Sequence, residues 1–193
     1  AEPQGFLETI KKHTTLASTI TENGDLNPYA VVVAPAAAGK VHAGDVLVSN
    51  FNNITNLPGT GTSIVRVDPD TKALSTLAQL PQTLQQCPGG LGLTTAMPQL
   101  MSGWIIVGAA PSTDVTTRTK GNGCLLGSGP EGKLVATWSG PTINAPWGNM
   151  AVKDEGDRAT LFVSMAGFDL PGPEVLDPKT RYPLVVRKAT VLR

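Results

Sequence analysis

An all-β fold of repeated four-stranded units is the class that this sequence predicts. A proline-led segment followed by a short apolar run occurs three times, at Pro28, Pro88 and Pro146, so these prolines are 60 and 58 residues apart. A second apolar run follows each first run after a polar gap, and a repeat of this length is typical of propeller blades. Glycine and proline number 21 and 16 of 193 residues, as tight turns between many short strands require.

The first unit is predicted to contain four short strands, at residues 31–34, 46–50, 63–67 and 74–80. Turn-forming residues stand before the second, third and fourth of them, in the segments Gly44-Asp45, Gly59-Thr60-Gly61-Thr62 and Asp68-Pro69-Asp70. Four short strands with hairpin connections are the content of one propeller blade.

The second unit repeats this order, with strands predicted at residues 91–95, 104–108, 125–126 and 134–139. The third unit is predicted to contain strands at 149–152, 160–164 and 188–193, without a fourth. Ahead of the first unit, loose alternation at residues 15–21 predicts one more strand, which could complete a blade formed elsewhere. A turn or two of helix at residues 6–11 is the only helix that the apolar spacing supports.

These units divide the chain into an N-terminal segment and an incomplete propeller. The segment is residues 1–25, and the predicted blades are 26–86, 87–144 and the partial blade 145–193. A closed propeller needs at least about four blades, so two and a half to three blades leave sheet edges open. Because open edges pair with other chains, we expect completion by another polypeptide, by a second copy or by a missing C-terminal portion.

The charge pattern excludes two classes of partner. Basic and acidic residues balance at 15 each, and no basic run exceeds Lys11-Lys12. Nucleic acids and anionic lipid surfaces need a basic patch or stripe, so neither is expected. No apolar stretch approaches the roughly 18 residues of a membrane-spanning helix.

The two cysteines and the first residues favour an extracytoplasmic location. Cys87 and Cys124 are 37 residues apart, which fits one disulfide in an oxidising compartment and no common metal or redox spacing. Two buried free thiols are the alternative. The opening Ala1-Glu2-Pro3 fits the end left by signal-peptide cleavage, although a trimmed chain would look the same.

Several of these motifs resemble one group of proteins. Asn27-Pro28-Tyr29, the strand end 47–53, Gly59-Thr60-Gly61-Thr62 and Pro146-Trp147-Gly148 are similar to bacterial exported six-bladed β-propellers. These are loosely related to the NHL-repeat and gluconolactonase-like superfamily. The resemblance extends from about Leu26 onward and implies that roughly half of a six-bladed fold is present. The group is mostly uncharacterised and implies no agreed activity.

Antiparallel pairing predicts where the functional residues gather. The start of each first strand and the end of each second strand lie at the same end of a sheet, so these residues should surround one mouth of the central channel. The candidate ligand-binding residues are Tyr29, Asn50, Asn52, Asp114, Trp147 and Asn149, accompanied by Gly89, Gly90, Ala110, Met165 and Asp169. Trp147 could stack on a sugar or another flat ligand, or it could plug the channel.

A divalent cation is the alternative occupant of this mouth. The resemblance to gluconolactonase-like enzymes, which hold a metal there, points to Asn50, Asp114, Asn149 and Asp169 as oxygen ligands for calcium. No glutamate stands at an inner-strand start, and asparagines at strand ends also form turns. His13 and His42 are the only near-neutral bases, and both lie in segments predicted to be peripheral.

The sequence therefore predicts an extracytoplasmic propeller module that binds a small molecule, a sugar or a protein partner at one mouth. We expect either no cofactor or calcium, and we do not expect this chain in isolation to catalyse a reaction. A calcium-dependent, lactonase-like hydrolase and a purely structural interaction module, associating through its open strand edges, are the alternatives.

Overall fold

The computed structural model describes residues 5–111, 121–166 and 190–192. Helix within these residues is limited to the single 3-10 turn Phe6–Thr9, and all remaining regular structure is antiparallel β-sheet. The all-β prediction is therefore confirmed. Within the same residues, no helix is long and apolar enough to cross a lipid bilayer.

The first sheet has the four strands that the sequence predicts, in sequential order. They are β1 (Leu26–Val33), β2 (Val46–Asn52), β3 (Ser63–Val67) and β4 (Leu74–Gln79). Each strand pairs antiparallel with the next, so short turns suffice to connect them.

The second sheet contains β5 (Ile105–Ala109), β6 (Cys124–Ser128) and β7 (Leu134–Trp138). The segment 91–95, predicted as a strand, forms no regular strand, but it lies antiparallel to β5: Leu93 bridges Ala109, the amide of Thr94 donates to Gly108, and the amide of Ala110 donates to Gly92. On its other side, the amide of Leu93 donates to Gly61 of the first unit over 3.1 Å. Next to it, a Cβ on Gly92 would lie 2.4 Å from the carbonyl carbon of Gly59, so this segment packs directly on the first unit's backbone.

The third sheet contains β8 (Pro146–Asp154), β9 (Ala159–Met165) and β10 (Thr190–Leu192), in the order β10-β9-β8. The three strands predicted for this unit are therefore present. Residues 15–21, predicted as a strand, form no ladder with any described strand. The amide of Thr21 instead donates to the carbonyl of Asp25 and closes a local turn.

Two apolar cores hold the three sheets in sequence. The first core joins the first and second sheets through residues that include Leu47, Ile64, Leu93, Val107 and Leu126. The second core joins the second and third sheets through Ile106, Leu125, Met150, Leu161 and Val163. Each sheet therefore packs on the next along the chain, but the described strands form three open sheets and no closed ring.

A disulfide and a chain of buried hydrogen bonds add to these cores. Cys87 and Cys124 are bonded, with Cα atoms 5.2 Å apart, which confirms the predicted pairing. Between the sheets, the hydroxyl of Ser49 donates to the carbonyl of Thr94 over 3.0 Å, and that of Thr94 donates to the carbonyl of Pro146 over 2.8 Å. These bonds fix how the sheets lie against one another, which apolar contact alone does not do because it is non-directional.

Candidate functional site

The predicted mouth corresponds to one end of the first and third sheets. Pro28 at the start of β1 pairs with Asn50 at the end of β2, and Pro146 at the start of β8 pairs with Met165 at the end of β9. We call this end of the sheets the mouth end. It is the end on which the sequence places the candidate ligand-binding residues.

The edge strands β1 and β8 are both irregular at the mouth end. The register of β1 shifts between Pro28 and Val31, and that of β8 shifts between Pro146 and Met150. Such bulges redirect side chains and are over-represented next to functional sites. Tyr29 lies in the first irregularity and Trp147 in the second, so both rings leave the regular alternation of their strands.

The rings of Tyr29, Phe51 and Trp147 form one aromatic cluster at the mouth end. Tyr29 stacks on Phe51 with centroids 4.2 Å apart and planes 22° from parallel. Trp147 presents its edge to both, at 6.1 Å from Tyr29 and 5.1 Å from Phe51. Phe51 is buried, whereas the other two side chains are half-buried. The cluster thus has a fixed base and two partly accessible rings.

Polar groups surround the aromatic cluster. The hydroxyl of Thr95 donates to the carbonyls of Trp147 and Gly148 and holds the β8 bulge against the second unit. Asn149 is exposed, its amide donates to Ser164 Oγ, and its Oδ1 accepts from the amide of Met150 over 2.8 Å. The backbone amide and Oδ1 of Asn149 are therefore engaged within the third sheet, and the side-chain Nδ2 is the donor that this exposed residue can offer.

Asn50 and Asn52 are buried, and both make extensive structural bonds. The Nδ2 of Asn50 donates to the carbonyl of Thr19 over 2.7 Å and lies within 3.3 Å of two further oxygens, Asp25 O and Ser63 Oγ. Its Oδ1 is buried without a hydrogen-bond partner. Asn52 bonds to Asn56 through Nδ2 and accepts from Asn27 through Oδ1. These side chains tie loops to the first sheet.

The proposed calcium ligands are only partly within the described residues. Asp114 and Asp169 lie outside them. Asn50 is fully buried and Asn149 is exposed, so the two described members have different environments. Of the accompanying residues, Gly89 and Gly90 form a left-handed turn at the disulfide, Ala110 is buried and Met165 is half-buried.

Charge is distributed unevenly between the two ends of the sheets. The described loops that connect strands at the mouth end, residues 53–62, 80–90, 121–123 and 139–145, contain no charged residue, whereas the segment before β1 contains the exposed Glu22 and the buried Asp25. The turns at the opposite end, 34–45, 68–73, 129–133 and 155–158, each contain at least one acidic and one basic residue. The loops that connect the strands at the mouth end therefore favour an uncharged ligand.

Asp25 is a buried polar residue that the sequence reasoning did not single out. Its side chain is 3% exposed and accepts from the amide and the hydroxyl of Thr62, over 2.8 and 3.2 Å. A lone aspartate before a strand carries no sequence signal for burial. Phe51 was likewise not predicted as a site residue, although its alternation with Leu47 and Ser49 along β2 indicates a side chain turned towards the second unit.

An ion-pair cluster lies at the opposite end of the first sheet. His42, Asp45 and Asp68 are the described residues whose ligand atoms are close enough to share a metal ion. The guanidinium of Arg66 occupies the centre of this group, with Nε bonded to Asp45 Oδ2 and Nη2 bonded to His42 Nδ1. The hydrogen bond to Asp45 and the nearby carboxylates raise the pKa of Arg66. The cluster is a salt-bridge network in which arginine supplies the positive charge.

A shallow cleft of about 320 Å³ lies at the same end of the third sheet, lined by residues that include Trp104, Asp154 and Arg158. The carboxylate of Asp154 accepts from the amides of Met101 over 2.7 Å and Gly156 over 2.9 Å. These bonds, chiefly the one from Met101, lower the pKa of Asp154 from its ordinary value of 3.8. Asp154 therefore fixes the turn that leads into β5.

Comparison with known proteins gives no assignment. No family model matches the chain, and no curated protein matches it significantly. Function must therefore be inferred from the arrangement of the residues.

Proposed function

We propose that this chain is an extracytoplasmic β-propeller module that binds a flat, uncharged ligand at the mouth end. The observation that carries the proposal is the meeting of Tyr29 and Trp147, from two separate repeat units, over the buried ring of Phe51. In a propeller, residues at the starts of the innermost strands surround the channel, where ligands commonly bind.

The chemistry of the cluster favours a sugar ring or a similar molecule with one apolar face and a polar rim. Half-buried Tyr29 and Trp147 offer apolar ring surface at small cost in conformational entropy, because Phe51 and neighbouring backbone already restrain them. The exposed amide of Asn149 lies next in sequence to Gly148 and can meet hydroxyl groups. The uncharged loops described above favour neutral ligands over anions or cations.

The architecture and location belong to the same proposal. Three antiparallel sheets that pack in series match successive blades, and the Cys87–Cys124 disulfide fits an oxidising compartment. The channel would be completed by further sheets from another chain or copy. Binding, and not catalysis, is the activity that the aromatic cluster supports.

Isothermal titration calorimetry with a panel of neutral mono- and disaccharides tests the proposal. Trp147→Ala should weaken binding at least roughly fivefold, since stacking on an aromatic ring contributes about 1 kcal/mol or more. Trp104→Phe is the matched control, because Trp104 packs against the second core just before β5, at the end of the sheets opposite the mouth end, and it should leave affinity unchanged. Equal affinities of the wild type and Trp147→Ala for every sugar that binds, or no binding at all, would contradict the proposal.

A further inference from the structure

We infer that the outward face of the third sheet binds the first sheet of a second copy of this chain. The inference rests on the proposed propeller function and names the partner that completes it. Equivalent residues of the first and third sheets differ in burial: residues that are buried in one sheet are exposed in the other.

Strand register defines which residues of the two sheets correspond. Pro28 pairs with Asn50 as Pro146 pairs with Met165. Beyond the two bulges, β1 and β2 resume pairing two residues back from Asn50, and β8 and β9 resume two residues back from Met165. The corresponding residues are therefore Val31 and Met150, Val33 and Val152, Leu47 and Phe162, and Ser49 and Ser164.

On one face, the third sheet is buried against its neighbouring sheet, whereas the equivalent residues in β1 of the first sheet are exposed. Met150 is 7% exposed, and it packs with Val152 in the core that joins the third sheet to the second. The equivalent Val31 and Val33 are 64% and 62% exposed. Val48 and Val65, on the same face of the first sheet, are already buried. The open surface there is accordingly the β1 side of the face.

On the opposite face, the first sheet is buried against its neighbouring sheet, whereas the equivalent residues of the third sheet are exposed. Leu47 is fully buried against the second sheet, whereas the equivalent Phe162 is 45% exposed. Ser49 sends its hydroxyl across to the carbonyl of Thr94 in the next unit. The equivalent Ser164 is exposed, and within the described residues its Oγ bonds the amide and carbonyl of Asn149 in its own sheet.

The two open halves are complementary, because each is the missing side of an interface that the chain already makes twice. Within one chain, the first sheet packs on the second and the second packs on the third. Placing the β1 side of one copy on the Phe162 face of another adds a further contact of the same kind. Lys153, at the far end of the Phe162 face, is already paired with Glu155 over 2.8 Å and can remain at the rim. Head-to-tail contacts of this kind close into a ring when the rotation permits. Two copies with three sheets each give six, a blade count at which propellers close.

The native mass of the purified chain tests the inference. Sedimentation velocity at micromolar concentration should give a discrete species of twice the chain mass of 20.0 kDa. Phe162→Asp and Val33→Asp, one in each half, should each raise the dimer dissociation constant by at least roughly tenfold, because each places an unpaired carboxylate in the interface. Val135→Asp is the matched control, since Val135 is an equally exposed apolar strand residue, in β7, and this variant should stay dimeric.

A second measurement does not depend on the charged variants. The double variant Val31→Cys with Phe162→Cys should form disulfide-linked dimers on mild oxidation, whereas Val31→Cys with Val135→Cys should not. A monomer at all concentrations, a dimer that survives both aspartate variants, or polymers that grow with concentration would each overturn the inference. Sugar binding is scored separately, so a monomer that still binds through Trp147 overturns this inference and leaves the proposed function intact.

Discussion

The hydroxyl of Ser49 in the first sheet donates a hydrogen bond to the carbonyl of Thr94 in the second unit, over 3.0 Å, with both residues fully buried. Ser49 Oγ also accepts a hydrogen bond from the backbone amide of Ala30 in β1. One side chain therefore bonds both a strand of its own sheet and the adjacent unit. The hydroxyl of Thr94 in turn donates a hydrogen bond to the carbonyl of Pro146 in the third sheet. The three repeat units are thus joined by directional bonds inside their apolar cores.

Replacing Ser49 by alanine should lower the free energy of unfolding by about 1 to 3 kcal/mol, because the substitution leaves the amide of Ala30 and the carbonyl of Thr94 buried with fewer partners. Urea denaturation measures this change. Ser75→Ala is the control, since Ser75 is an exposed serine in β4, and it should change stability by less than about 0.5 kcal/mol. Equal losses in the two variants would show that the buried bonds contribute nothing.

The fold is predictable from the sequence wherever a strand pairs within its own unit. The four strands of the first unit and the three of the third have clear apolar runs bounded by turn residues. The segment 91–95 has the same pattern and lies antiparallel to β5, but it forms no regular strand, and the amide of Leu93 bonds Gly61 in another unit. Sequence periodicity contains no information about such contacts between units.

The site is predictable to the same extent. The period places Tyr29 and Trp147 at one end of their sheets, and the structure brings their rings to 6.1 Å. The burial of Asn50 was not predictable, because its partner Thr19 lies in a segment without strand pairing. An asparagine that binds a ligand and an asparagine that anchors a loop look the same in sequence. Only the hydrogen-bond acceptors around the side-chain amide distinguish the two roles.

Removing the disulfide should destabilise the chain substantially. The bond between Cys87 and Cys124 closes a loop of 37 residues, and loop-closure entropy for that length corresponds to about 4 kcal/mol. The double variant Cys87→Ala with Cys124→Ala should lose an amount of this order in urea denaturation. The wild-type protein in strong reductant should approach the same midpoint. A variant as stable as the oxidised wild type would contradict the loop-closure account.

Asn50→Ala should release the N-terminal segment from the first sheet. The side-chain amide of Asn50 donates to the carbonyl of Thr19 and lies within hydrogen-bond distance of the carbonyl of Asp25. We expect a loss of about 1 to 3 kcal/mol, together with faster amide exchange and proteolysis around residues 15–25. Asn149→Ala, at an exposed asparagine, is the control and should change neither rate. Unchanged exchange in Asn50→Ala would refute the anchoring role.

Asp154→Asn should destabilise the protein in a manner that depends on pH. The pKa of Asp154 is lowered in the folded state by the amides of Met101 and Gly156, relative to 3.8. A carboxyl group whose pKa is lowered on folding contributes stability that is complete above its unfolded pKa, and that contribution is lost as pH falls through the folded pKa. The variant should therefore melt below the wild type at pH 7, and the gap should close as pH falls below 3.8.

Thermal melts of the wild type and Asp154→Asn between neutral pH and pH 3 measure this gap. Asp157→Asn is the matched control, because Asp157 lies three residues away in the same turn region and accepts no hydrogen bond from the described part of the chain. Its melting temperature should stay close to that of the wild type at neutral pH. A gap for Asp154→Asn that is the same at pH 7 and pH 3 would mean that the ionised carboxylate is not what holds the Met101 turn, because protonation of the wild type would then cost nothing.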